Sequence, residues 1–306
     1  LFFVLSSFLL TSQVLGRLDG ASGRVGWARF AARRFLRVMP AYALCIGVHV
    51  ALRAFTPEVA FEHLALVRSE AHFWTIPVEV LFYLALPPIG FGLTRLPGAV
   101  SRVGAVLVVA VLIRLLVPPD FPAKAPDYRP NVAPFLPIFL VGSGLAAGAP
   151  LVERATASRT AGRVLAVLGT IAAGALVLMT PSVWRHVVGQ PVPHTEFHLN
   201  FDLYACLWAL VLLACAVPAG DRLRRAVSIW PLRALGWISY SAYLFHAIVL
   251  VHAEAFLVGR VAPGLVGPLF LLGAVLVGAL SYLLVERPFL GLLRSRGDAG
   301  DALRGL

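Results

Sequence analysis

Residues 73–93 read FWTIPVEVLFYLALPPIGFGL, twenty-one positions in which Glu79 is the single charge. A helix rises about 1.5 Å per residue, so this run is long enough to cross a hydrocarbon core roughly 30 Å thick. Eight similar runs flank it, at 1–15, 38–55, 103–117, 134–149, 164–180, 200–217, 236–258 and 265–287. The pattern predicts an all-α, polytopic integral membrane helix bundle with nine transmembrane helices, in one domain over 1–297 followed by a short cytoplasmic tail, 298–306. Composition agrees: of 306 residues, 59% are hydrophobic and 13% charged, and mean hydropathy is +0.85. Soluble domains carry about 25% charged residues, so an ordinary cytosolic enzyme is excluded. Cys45, Cys206 and Cys215 lie inside apolar runs without metal-type spacing. Neither a disulfide framework nor a zinc site is indicated.

The net charge of +11 comes from 26 basic residues, all but Lys124 arginine, against 15 acidic ones. Such a balance suits nucleic acid or an anionic membrane surface, and position along the chain decides between them. Alternate loops are rich and poor in arginine. Nineteen basic and five acidic residues fall on one side, net +14, whereas the other side carries six of each. Positive charge marks cytoplasmic loops, so the C-terminus is expected in the cytoplasm of a bacterial inner membrane, with lipid and not nucleic acid as the partner. Because the first run starts at Leu1 without an initiator Met, a preceding helix and a ten-helix parent are expected.

Ionisable side chains inside spans are costly and by default functional. The candidates are Glu79, Asp202, His246, His252, Glu254 and Glu286, with His49 and Arg114 nearer helix ends. Helical spacing sets Tyr83 beside Glu79, Tyr243 beside His246, and Tyr282 one turn before Glu286. An intramembrane histidine also serves as a packing residue bonded to a neighbouring helix, and that reading of His246 stays open. Arg29, Arg33 and Arg37, spaced by four with Arg34 beside them, would line one helix face. Guanidinium groups grip phosphate bidentately; the alternative is an anchor on anionic lipid. His194, Glu196 and His198 alternate as metal ligands can, but no third anchoring motif accompanies them, so no metal is expected. The set Cys206, Trp208 and Cys215 reads as helix packing.

Four stretches, in order, resemble membrane acyltransferase family 3. FFVLSSFLLT (2–11) is similar to its second-helix signature and FAARRFLRVMPAY (30–42) to the segment after it; HFWTIPVEVLFYLALP (72–87) is similar to its W-(S/T)-x-x-x-E-x-x-F-Y-L helix; ISYSAYLFH (238–246) and SYLLVERPF (281–289) are similar to its last two helices. The resemblance implies an O-acyltransferase with a ten-helix core, taking an acyl group, usually acetyl, from cytosolic acyl-CoA to a hydroxyl of a carbohydrate, glycolipid or macrolide-like acceptor. It assigns Arg33, Arg34 and Arg37 to CoA, with Arg29 a candidate through its place in the row, and makes Glu79, His246 and Glu286 the catalytic or positioning candidates; Trp74, Tyr83 and Tyr243 are the candidate acceptor-binding residues. Two departures stand out. Ser7 replaces the usual glycine of the L-S-G-F signature, and the family's principal catalytic histidine sits on a first helix preceding Leu1, so residues 1–306 alone are expected to be inactive. A multi-helix exporter, or a non-catalytic acyl sensor of the same fold, would share the buried charges but lack acyl transfer.

Overall fold

The computed structural model describes residues 1–18, 27–117, 129–190 and 201–291, which contain helices and no strand. In chain order these are α1 (Phe2–Leu18), α2 (Trp27–Ala51), α3 (Pro57–Leu64), a 3-10 turn (Ala71–Trp74) running into α4 (Thr75–Arg95), α5 (Gly98–Leu116), α6 (Leu136–Thr156), α7 (Arg159–Leu178) and α8 (Pro181–Val188). There follow α9 (Phe201–Ala216), α10 (Asp221–Val227), α11 (Trp230–Leu257), α12 (Pro263–Ser281), a π-helical turn (Tyr282–Glu286) and α13 (Arg287–Gly291). All nine expected runs fall on helices. Among the described residues seven helices are long and apolar enough to cross a bilayer; α9 with its continuation to Val227 makes an eighth if the pair, bent by 101°, is one span, and the helix over Phe2–Gly16 is shorter. Val108, Val111, Leu115 and Leu116 of α5 stand exposed, apolar surface that fits lipid. The tail 298–306 lies outside the described residues.

Proline lies inside α2 (Pro40), α4 (Pro87, Pro88), α6 (Pro150) and α12 (Pro268). In a soluble helix each costs about 3 kcal/mol, whereas membrane helices tolerate it because neighbouring groups re-satisfy the backbone.

The chain divides into two compact units and passes between them more than once, one of the boundaries lying inside α4 between Pro77 and Val78. In the first, α1 crosses α6 at very short range. A Cβ on Gly142 would lie 2.0 Å from Ser7 Oγ and 2.2 Å from the Val4 carbonyl oxygen, so only glycine fits there. The glycine expected in the α1 signature is thus found on its partner helix. Thr11 and Ser143 hydroxyls hydrogen-bond beside the crossing at 2.9 Å, and the Phe82 ring of α4 stacks on Phe139 at 4.1 Å. The α7–α9 pair repeats the device with Gly169 against Ala214. Small residues let membrane helices approach where no hydrophobic effect drives them together.

The second unit holds α2, α3, the 3-10 turn and α11 to α13. Gly278 of α12 meets Ala242 of α11, Tyr240 donates to the Val38 carbonyl at 2.9 Å, and the Cys45 thiol donates to the Leu244 carbonyl at 3.2 Å. These bonds fix α11 against α2.

Candidate active site

His246 lies sixteen residues into α11, since the helix begins at Trp230, six residues earlier than expected. Its Nδ1 is 2.5 Å from the Tyr243 carbonyl oxygen. A carbonyl only accepts, so Nδ1 carries the hydrogen and Nε2 of the neutral ring is the lone-pair nitrogen. His72, in the 3-10 turn, packs edge-on against this ring with centroids 4.9 Å apart. Its own Nε2–H donates to the Leu244 carbonyl at 3.0 Å. The Tyr243 hydroxyl donates to the His72 carbonyl oxygen and accepts from Thr75 Oγ1 at 3.0 Å. Two imidazoles, a phenol and a hydroxyl thus converge from α11 and the turn leading into α4, with His246 half-buried and, among the described residues, no hydrogen bond to its Nε2. Trp74 closes the same turn, half-buried.

Glu79 belongs to the other unit. It is 2% exposed, with Ser6 of α1 donating to Oε1 at 3.0 Å and Tyr83, one turn on, donating to the same oxygen. Helical spacing anticipates Tyr83 but not Ser6. Glu286 ends the π-helical turn, 4% exposed. It accepts from Ser241, whose hydroxyl oxygen also lies 2.9 Å from that of Ser281, and it feels the charge of Arg37. Among the described residues no hydrogen bond joins Glu286 to His246. Within this unit Glu286 and His246 thus have different partners, and His246 is the more exposed of the two.

The arginine row runs along α2. Arg33 and Arg34 are half-buried and Arg37 exposed, and the Arg34 guanidinium lies over the Phe30 ring at 5.7 Å. Arg29 is on the same helix, its side chain outside the described set. Asp202 of α9 pairs with Arg114 of α5 at 2.5 Å, so two further intramembrane charges neutralise each other. His194, Glu196 and His198 lie outside the described residues, and among those described no cluster of three possible metal ligands occurs.

The connection from α2 to α4 carries buried polar groups that periodicity missed. His63 on α3 has no exposed surface; the Tyr42 hydroxyl sits 3.1 Å from Nδ1 and a Glu70 oxygen 3.4 Å from Nε2. Burial pushes the His63 imidazolium below its ordinary value of 6.5. Burial would raise Glu70, but hydrogen bonds and charge from Arg68 and His63 outweigh it and hold the carboxyl below 4.5. The folded state thus binds fewer protons than the unfolded one at both groups. Their stabilisation is present above about pH 6.5 for His63 and above about pH 4.5 for Glu70, and falls away on acidification. Thermal melting in detergent should therefore drop as pH is lowered from 7.5 through 6, with a shallower drop in His63→Gln; identical slopes in the two proteins would refute this.

A family model described as an acyltransferase domain, acyltransferase family 3, matches residues 1–285. No curated protein and no solved structure matches significantly.

Proposed function

The chain belongs to membrane acyltransferase family 3, and from that premise we propose that it moves an acyl group, acetyl in the first instance, from cytosolic acyl-CoA to a hydroxyl of a carbohydrate or similar acceptor. The observation that carries the reading is the His246 imidazole, pinned at Nδ1 by a carbonyl so that Nε2 can take a proton. The acceptor oxygen attacks the thioester carbonyl, the C–O bond forms, the C–S bond breaks, and the proton passes through Nε2 to the departing sulfur. A general base of this kind contributes roughly 10²- to 10⁴-fold. The neighbouring His72, Tyr243 and Thr75 hold the ring and shape the acceptor side with Trp74. Glu79, bonded by Ser6 and Tyr83, is a buried carboxylate for orienting the acceptor or a proton. Glu286, beside Arg37, bears on the donor side. In this reading the acyltransferase domain covers 1–297 in a bacterial inner membrane, with the C-terminal residues in the cytoplasm.

Arg33, Arg34 and Arg37 are the donor-phosphate residues, with Arg29 on the same helix. A guanidinium–phosphate hydrogen bond is charge-assisted and bidentate, so Arg33→Ala with Arg34→Ala should weaken acyl-CoA binding by about tenfold or more. Binding of labelled acetyl-CoA to purified protein measures it, and unchanged affinity in the double variant would remove these arginines from the site. The function itself is tested by incubating native membranes with radiolabelled acetyl-CoA and following label into carbohydrate and glycolipid fractions. Label confined to CoA and free acetate would count against a hydroxyl acceptor of this class.

A further inference from the structure

We propose that His63 is a positioning residue for the His72–His246 pair, locking the 3-10 turn Ala71–Trp74 through a hydrogen-bonded chain of Tyr42, His63, Glu70 and Arg68. The proposal rests on reading that pair as the reaction site.

Both ring nitrogens of His63 are committed. An ionised carboxylate only accepts, so the Nε2 that faces Glu70 carries the hydrogen, and Nδ1 offers its lone pair to the Tyr42 hydroxyl. Glu70 is the residue that opens the turn. Its other oxygen takes Arg68 Nε at 2.9 Å, and Arg68 Nη1 continues to Glu62 on α3 at 2.8 Å. A fully buried tyrosine on α2 is thus tied through α3 to the residue that caps the turn carrying His72.

Aromatic rings brace the same chain. Phe55 stacks on His63 with centroids 4.9 Å apart and planes 13° from parallel. Phe73, inside the turn and fully buried, meets the His63 ring at 5.3 Å and the His72 ring at 4.0 Å. Any shift of His63 is therefore felt one residue from His72.

The backbone shows why a lock is needed. Leu66 and Ala71 have φ of 59° and 48°, left-handed values that residues with a Cβ adopt only when their surroundings impose them. Arg68, Ser69 and Glu70 lie between these two points, so the segment is bent at both ends of the stretch the network grips. The order hydroxyl, imidazole, carboxylate is that of a nucleophilic triad. Tyr42 has no exposed surface, however, so its oxygen meets no substrate and the chain acts through position.

The groups facing His63 are Tyr42 and His49 from α2, Arg68 and Glu70 from the connection, and His72 from the turn. Protonation of Nδ1 removes the acceptor for Tyr42 and opens the chain at its centre, which makes the lock pH-sensitive.

Hydrogen exchange of the purified protein in detergent, with carbethoxylation of His72 followed by mass spectrometry, tests this in His63→Gln, Glu70→Gln and Tyr42→Phe. The last keeps the ring and its packing, so it guards against simple unfolding. Exchange across residues 65–76 should quicken by about tenfold or more, His72 should react several-fold faster, and kcat should fall while KM for acyl-CoA stays put. Ala71→Gly, which relaxes one left-handed residue, should return part of the loss in His63→Gln. Unchanged exchange and His72 reactivity in all three variants would overturn the lock. A loosened turn with wild-type kcat would sustain the lock and overturn the reading of His72 and His246 as the reaction site.

Discussion

His246→Gln should lower the acyl-transfer kcat by about 10²- to 10⁴-fold with KM for acyl-CoA nearly unchanged. Glutamine retains a polar end of similar reach but has no titratable nitrogen, so hydrogen bonding survives and proton abstraction does not. The Tyr243 carbonyl holds Nδ1 and thereby sets which nitrogen works. His72→Gln should cost less, because that ring abuts His246 and donates to the Leu244 carbonyl but is not the proposed base. Transfer of label from acetyl-CoA in native membranes measures both effects. A kcat within a few-fold of wild type for His246→Gln would assign the histidine to packing.

The second large effect is structural. Gly142→Ala should abolish most of the folded protein recovered in detergent, because the new methyl would sit 2.0 Å from Ser7 Oγ, 2.2 Å from the Val4 oxygen and 2.9 Å from the Phe8 nitrogen. Overpacking of this kind costs about 1–3 kcal/mol when side chains can yield, and more when they cannot. Here two of the three atoms are backbone, so the whole α1–α6 crossing must open. Ser7→Gly should therefore fail to rescue Gly142→Ala, since it frees only the hydroxyl. Gly47→Ala is the control, because nothing lies within 4 Å of a Cβ there. Yield and melting temperature after size exclusion give the comparison; a Gly142→Ala protein as stable as Gly47→Ala would show that the helices do not meet this closely.

Much of this was legible in the sequence, and the limit has a physical origin. Run length and apolarity put all nine expected runs on helices, because both are local properties of one segment in lipid. Same-helix pairs came equally directly, as with Tyr83 beside Glu79 and Tyr243 beside His246, since a period of 3.6 fixes which side chains are neighbours. What periodicity cannot carry is the choice of facing helix. Ser6 reaches Glu79 across 73 positions, and His72 meets the Leu244 carbonyl across 172. His72 stood beside the Trp74–Thr75 motif, a signal that proximity to a recognised stretch could have used. His63 gave no such hint, because a histidine on an eight-residue helix outside the spans has the pattern of an ordinary loop residue. The turn it braces depends on left-handed backbone at Leu66 and Ala71, where neither residue type announces it.

The π-helical turn at Tyr282–Glu286 bears on how this chain should be lined up with others of its kind. Such a turn holds one residue more than an α-helix of the same length, and each residue of an α-helix turns the chain by about 100°. A relative without the extra residue would run straight through and would present Ser241's counterpart with a different side chain, unless its carboxylate were displaced by one position. Alignments through this region should therefore open a one-residue gap between the serine at 281 and the acid at 286, and those forced to close it will pair this carboxylate with an arginine or an aliphatic neighbour.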